Sequence, residues 1–561
     1  MFRSTFTGIN ISTQGLGVAQ RQLDVTSHNL ANANVTGYSR QRYITQASPP
    51  KGWNTQFSSP ERGKVGGGVE TLSLDQIRDV FLDRQFRSEQ TSTKYWETRS
   101  DSMYYIEDVF NSIDSNSLDG VLASFFASLQ ELSKNSTDEA VRTNVVSQAK
   151  KIVDVFHVYD QQLTDLMEQQ NYQLHEKVSH TNNLLAQVAA LNDSIFRFEL
   201  GGSVANDLRD QRANILDELS SLIDISYEEV SSVPPIYNIY GLELTQLKVA
   251  AGNDVNNDDA ILIRHDDYYM LKLDSIDYGG GDNEIYDQLE PLPDSEDSSP
   301  FAMPFYKIYL SGSEDTPNYE GTMYDGEHNG IELAPGDDLP GYTGGLLQSY
   351  LDIRDGVGSA DGESGVIGIP YFLKELNRFV ENFTLAFNDI HNQGYTYPTG
   401  IGGYSDTMVD FFNPEFTTAR TIQLSDAILT SSFNIAASTE SVTLDAEGHA
   451  QTGNNEIVLQ LIQKLKEGVI EGLNNSAEGF YKNFLGIIAS EASESNGMLS
   501  EKEVLLNGIQ TQRTSVSSVD EDEEMTSMVR FNHAYNASAR CITTIDEMLE
   551  KLINGTGRVG L

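Results

Sequence analysis

The chain has 561 residues, a formal net charge of −46 and a single cysteine, Cys541. That length exceeds what one hydrophobic core organises, so roughly three or four domains are expected. The charge excludes a nucleic-acid surface and disfavours anionic lipid, because both need clustered Lys and Arg, and one cysteine excludes an intrachain disulfide.

The N-terminal segment carries Ile9, Leu16, Leu23 and Leu30 at strict seven-residue spacing, a series that begins at Phe2. Such a narrow apolar seam calls for a partner helix. After it, Asn32, Asn34 and Gly37 can adopt left-handed backbone conformations that end the helix, and Tyr38 can anchor the turn that follows. The opening MFRSTFTGINIS lacks the apolar core of a secretory signal, and no run approaches the ~20 apolar residues of a membrane helix. Membrane insertion is therefore not expected.

No proline occurs from Glu61 to Val233, and residues from about Leu72 to Leu222 read as long helices. One register runs through Val145, Ala149, Ile152, Phe156, Tyr159, Leu163 and Leu166, and a second through Val178, Thr181, Leu185, Val188, Asn192 and Ile195, offset by a stutter. Nine of the 15 prolines then fall between Tyr227 and Pro340, which rules out a long helix there. Short apolar runs such as Ala260 to Arg264 and Tyr268 to Leu273 alternate with Gly, Asp and Pro, the pattern of a β domain. Residues 226–342 hold 25 acidic and 4 basic residues, a net of −21, so this domain is expected to stand out in solvent.

A further helix is expected over about 371–392, through Leu373, Leu376, Val380, Phe383, Phe387 and Ile390. A Gly/Ser/Thr-rich stretch over 395–455 reads as β structure or ordered loop, and helices follow at about 455–472 and 479–515. The C-terminal segment answers the first one with Met528, Tyr535, Ile542 and Leu549, flanked by Phe531, Ser538, Ile545 and Leu552. At 1.5 Å per residue, helices over 2–30 and 520–553 would be about 43 and 50 Å long, so they match as partners. Glu521, Asp522, Glu523 and Glu524 complement the dipole of the last helix. The expected fold is α+β and multidomain: a coiled-coil-like helical bundle from both chain ends, with inserted, mostly-β outer domains. In residue terms it comprises 1–60 with 516–561 as terminal coil, 61–225 with 343–394 and 456–515 as helical body, 226–342 as acidic β domain and 395–455 as a second small insert.

Catalytic chemistry is missing from this pattern. The nine histidines form no HExxH or clustered ligand set. Asp254, Asn256 and Asp258 imitate the start of a calcium loop, but Asp259 stands where Gly is needed and His265 where a bidentate Glu is needed. Gly66 to Gly68 and Gly279 to Gly281 lack the Lys-Ser/Thr of a phosphate loop. No catalytic residue, metal or cofactor is expected, and Cys541 reads as a packing residue.

Residues 28–42, HNLANANVTGYSRQR, resemble the signature of the flagellar rod, hook and hook-associated proteins, and the continuation Tyr38-Ser39-Arg40-Gln41 is similar to the hook-associated branch. Further similarity lies in FLDRQFR (81–87), FFASLQEL (125–132), NDLRDQR (206–212), GGLLQSYLDIR (344–354) and the run from Val516 to Gly560. The resemblance implies a structural subunit at the junction between hook and filament, exported through the flagellar type III channel and found outside the cell. Its implied partners are copies of itself in an axial ring, hook protein, the third hook-associated protein and a cytoplasmic export chaperone. It also implies that the terminal stripes, Ile9 to Leu30 and Met525 to Leu552, order only on assembly. A hook or distal-rod protein shares the Asn-rich turn but does not explain the match from Val516 onward. A secreted acidic adhesin or enzyme on a coiled-coil stalk would call for a signal peptide or an active-site constellation.

Overall fold

The computed structural model describes residues 5–48, 66–110, 117–199, 203–231, 245–251, 261–262, 270–275, 306–311, 344–358, 365–398, 405–443 and 454–556. The chain is mostly helical. Helix α1 (Thr5–Ala31) leads into an antiparallel pair, β1 (Gln41–Ser48) with β2 (Gly68–Gln76). Then come α2 (Val80–Phe110), α3 (Leu118–Lys134), α4 (Glu139–Glu199) and α5 (Asn206–Leu222). The helical stretch expected from Leu72 thus begins at Val80, because residues 68–76 are drawn into the ladder with β1. In the acidic stretch, β3 (Ile225–Ser231), β4 (Thr245–Ala251) and β5 (Ile261–Leu262) form one antiparallel sheet, and β6 (Met270–Ser275) pairs with β7 (Tyr306–Ser311). The rest of that stretch, including the calcium-loop imitation and Gly279 to Gly281, lies outside the described residues.

Helices α6 (Gly345–Asp355) and α7 (Ile369–His391) follow, then the short α8 (Asp426–Thr430), α9 (Glu456–Ile462) running into a π turn over 463–467, α10 (Ala477–Ser517) and α11 (Glu521–Thr556). Helix α4 has 61 residues, so at 1.5 Å per residue it spans about 90 Å. Both registers read on either side of its stutter are buried along their whole length, from Val145 to Leu166 and from Val178 to Ile195. The first half packs in a large core with α2, α3, α7, α9 and the start of α10, which includes Phe125, Phe126, Leu129 and Leu132 of the FFASLQEL motif. Its second half packs in a smaller core with α5 and α6. One helix therefore serves two cores.

Helices α2 and α10 run antiparallel and are tied at three levels, by Arg99 to Glu491 at 2.9 Å, Glu89 to Lys502 at 2.9 Å and Asp83 to Arg513 at 2.7 Å. The two ion pairs nearer the chain ends stand where α2 leaves the large core.

Of the two readings for 395–455, ordered loop is the one observed over its described residues. Isolated bridges such as Tyr395 to Ser438 and Phe412 to Leu424 replace strands. This stretch is not an outer domain: Phe411, Phe412, Ala419, Ile422, Leu424 and Ile435 are buried in the large core. Its backbone is held by α7, where the Asn388 amide accepts from the N–H of Phe411 and Phe412 and donates to the Phe412 carbonyl. His391 completes the attachment, with Nδ1 2.6 Å from the Val409 carbonyl and Nε2 accepting from Ala436 N–H at 2.8 Å. The ring is neutral in this arrangement, since a second ring proton would point at the Ala436 N–H.

Burial pushes the His391 pKa down to about 4. Its folded value lies below the ordinary value of about 6.5, so the stabilisation is complete above pH 6.5 and is lost as pH falls toward 4. Denaturant unfolding at pH 7 and 4.5 should show wild type losing about 2–3 kcal/mol more than His391→Gln over that interval; equal losses would mean the ring titrates normally.

Candidate functional site

The terminal helices α1 and α11 pair along the two heptad stripes. A Cβ on Gly8 would stand 3.2 Å from Ile545 Cδ1, and one on Gly15 3.2 Å from Ser538 Oγ. Seven residues forward on α1 therefore match seven backward on α11, an antiparallel coil whose small residues allow close approach. Ile9, Leu16, Leu23 and Leu30 face this seam half-buried, as do Met528, Phe531, Tyr535, Ile542, Ile545 and Leu549. Leu552 is 56% exposed. With only two helices, the coil buries one stripe of each and leaves the outer face to solvent.

At the base of the coil, four of the sequence motifs converge. Asn32 closes α1 through its amide to the His28 carbonyl at 3.0 Å. Asn34 is exposed at the tip of the turn. Gly37 has φ +76°, and a Cβ there would overlap the Asn214 side chain, which itself donates to the Thr36 carbonyl. No other residue fits that position. Asn29, buried in the last turn of α1, accepts from the Tyr38 hydroxyl at 2.8 Å and from Gln41 N–H at 3.0 Å, and donates to the Gln41 carbonyl at 2.9 Å. This double bond to the backbone starts β1 beside the helix that precedes it.

The strand then meets the NDLRDQR helix. Ser39 N–H donates to Asp210 at 3.0 Å, and the Gln41 amide to Asp207 at 2.8 Å. Asn206 donates to the Leu74 carbonyl, so both strands of the β1/β2 ladder rest on α5. Arg40 reaches the other way, with Nε 2.7 Å from Glu524 and Nη1 2.7 Å from Glu523, while its N–H donates to the Ser517 carbonyl. That last bond lies at the break between α10 and α11. Below it, Arg78 bridges Asp83 at 2.5 Å and Asp210 at 3.3 Å, Arg513 bridges Asp83 at 2.7 Å and Asp217 at 2.6 Å, and Arg87 meets Asp217 at 2.6 Å. Arg513 also lies over the Phe86 ring, 4.6 Å from its centroid.

Burial pushes Asp210 above the usual carboxylate range, against the opposing effects of the Ser39 N–H and Arg78. Asp83 is also buried, yet Arg78, Arg513 and Arg87 together hold it below that range. Burial, with Asp207, Asp210 and Glu524 nearby, pushes the Tyr38 hydroxyl up, so it remains a donor. These carboxylates are engaged with guanidiniums, amides and backbone N–H groups, and among the described residues no group of His, Cys, Asp and Glu is arranged to hold a metal. The arrangement fixes one helical pair to another.

Sequence reasoning had singled out Asn32, Gly37, Tyr38 and the two charged motifs but not their meeting, and it missed Arg78, Arg513 and Asp217. The available signal was the placement of Asp210 and Asp217 seven apart on one helix face, neither with a basic residue three or four positions away.

Glu524 is buried beside Arg40, so removing Arg40 leaves a buried carboxylate without its guanidinium and the two losses should not add. A double-mutant cycle with Arg40→Ala and Glu524→Ala, read by denaturant unfolding, should give a coupling of about 1–3 kcal/mol; strictly additive losses would make the pair incidental.

Comparison with known proteins agrees with this architecture. Family models match at three places: "Flagellar hook-associated protein FlgK helical domain" over 103–235, "Flagellar basal body rod FlgEFG protein C-terminal" over 510–555 and "Flagella basal body rod protein" over 9–38. The last two fall on the coil and the first on the helical body. The chain is 31% identical over 563 residues to flagellar hook-associated protein 1 of Bacillus subtilis, covering 99% of each. It is 36% identical over 220 residues to the Salmonella typhimurium protein of that name, covering 39% of this chain and 38% of the relative. Among solved structures, the flagellar hook junction protein FlgK from Burkholderia pseudomallei shares the fold with a TM-score of 0.51 at 13% identity, over 77% of this chain and 100% of that one. A coil made from the two chain ends, a helical body built on one long helix and full-length similarity at this level place the chain in the flagellar hook-associated protein 1 family, a family of structural rather than catalytic proteins.

Proposed function

We propose that the chain is a structural subunit of the bacterial flagellum at the hook–filament junction and that it polymerises through its terminal coil. The observation that carries this reading is the apolar surface that the coil leaves uncovered. Met525, Val529, Met548, Leu552 and Ile553 of α11 are exposed, Val529 by 57% and Ile553 by 68%, on a coil whose own seam is only half-buried. An isolated helix pair with one thin seam is marginal in water, and burying the second face against neighbouring copies supplies what it lacks.

In this reading the partners are further copies of the chain in an axial ring, hook protein on one side and the third hook-associated protein on the other. Type III export, with a cytoplasmic chaperone, precedes assembly outside the cell. The sole cysteine suits a protein that is exported unfolded, because nothing covalent has to be reduced. The coil orders fully only on incorporation, so folding and polymerisation are coupled. The domain limits given above follow the same plan, except that 405–443 joins the helical body.

Hydrogen exchange tests the coupling. Amides of 5–24 and 532–556, the coil above the joint, should exchange freely in the isolated monomer and become protected after addition to hook fragments; full protection in the monomer would make the coil ordinary intramolecular packing. Val529→Glu and Ile553→Glu replace exposed side chains, so monomer stability should change by no more than about 0.5 kcal/mol while incorporation onto hooks is lost. Normal incorporation of both variants would show that another surface carries assembly.

A further inference from the structure

Beside the joint, a crevice of about 180 Å³ opens between α1, β1 and the first turns of α11. Its lining is unusual for this chain. Three arginines, Arg40, Arg42 and Arg530, stand against a single acid, Glu524, in a protein that carries 83 acidic and 37 basic residues. Glu524 is buried and already committed to Arg40. Arg42 and Arg530 are exposed and form no ion pair with any described residue. The Arg530 guanidinium lies over the Phe531 ring, 4.8 Å from its centroid, and Val25 and Ile77 extend the apolar floor. The crevice thus offers two guanidiniums that meet no carboxylate among the described residues, above an apolar surface.

Copies of a chain with a charge of −46 repel one another on approach, so a contact between them needs local cations aimed at local carboxylates. Resting on the reading of this chain as a self-assembling subunit, we infer that the crevice receives the last turns of α11, residues 546–553, from a second copy. Those turns present Asp546, Glu547 and Glu550 against one basic residue, Lys551, beside the exposed Met548, Leu552 and Ile553, a net acidic and apolar pattern that complements the crevice. They cannot enter the crevice of their own chain, because residues 530 and 550 lie about 30 Å apart on one continuous helix. Occupation by a second copy sets neighbouring coils about 30 Å out of step along their axis.

The test is a fluorescence titration of a labelled peptide, residues 541–556 with Cys541→Ser, against the full-length chain. The peptide should bind, should weaken as salt is raised from about 0.05 to 0.5 M, and should bind the Arg42→Glu/Arg530→Glu chain at least about tenfold more weakly. A peptide carrying Asp546→Lys, Glu547→Lys and Glu550→Lys should prefer the charge-reversed chain. Absence of binding, or equal binding to both chains, overturns the inference. In the Cys541→Ser background, Arg42→Cys and Glu550→Cys should cross-link between copies on hook fragments; cross-linking of Arg42→Cys to a cysteine introduced in the acidic 226–342 stretch, with none to Glu550→Cys, would overturn residues 546–553 as the occupant. Loss of incorporation by Val529→Glu bears on the assembly reading alone, so the two ideas fail separately.

Discussion

Five carboxylates share four guanidiniums at the base of the terminal coil, and the attachment of the chain ends to the rest of the molecule depends on that sharing. Asp83, Asp210 and Asp217 are approached by Arg78, Arg87 and Arg513, Glu523 and Glu524 by Arg40, and Asp207 by the Gln41 amide and His28. Buried ion pairs gain little over a well-packed apolar contact, since desolvation consumes most of the attraction. What they provide is geometry: a guanidinium bridging two carboxylates tolerates few relative placements of the helices that carry them. An apolar joint would slide where this one holds a fixed register.

The same division of labour recurs through the body. Apolar packing gathers α2, α3, α4, α7 and α9 into the large core, and polar side chains then decide how backbone is attached to it. Asn388 and His391 fasten the loop at 405–443 through its N–H and carbonyl groups, and Arg142 does so from α4 by donating to the Ser136 and Ile435 carbonyls. A loop poor in strand pairing is ordered in this way because helices supply the partners that a sheet would have supplied.

Much of this was legible in the sequence, for a physical reason. Period-seven and 3-4 spacings report directly on which residues a helix buries, and the stripes on α1, α4, α7 and α11 coincide with buried or half-buried faces. The β1/β2 ladder was not legible, because neither strand alternates buried and exposed positions. The meeting of the motifs was also hidden: Ser39 and Asp210 are 171 positions apart, and Arg40 and Glu524 are 484. Periodicity reports local burial and carries no information on pairings at such separation, so the charged motifs could be recognised as words without revealing what they bind.

Pairing the first helix of the chain with the last also has a consequence in time. When α1 emerges, its partner lies almost 500 residues away and does not yet exist, so the seam through Ile9, Leu16 and Leu23 stays open until the final turns of α11 are available. Closing a loop of that length costs only slightly more than closing a short one, since the entropy grows with the logarithm of length. The delay is therefore one of order rather than of energy: a truncated chain, however well its body folds, carries an unpaired α1, and only a complete chain can close the coil.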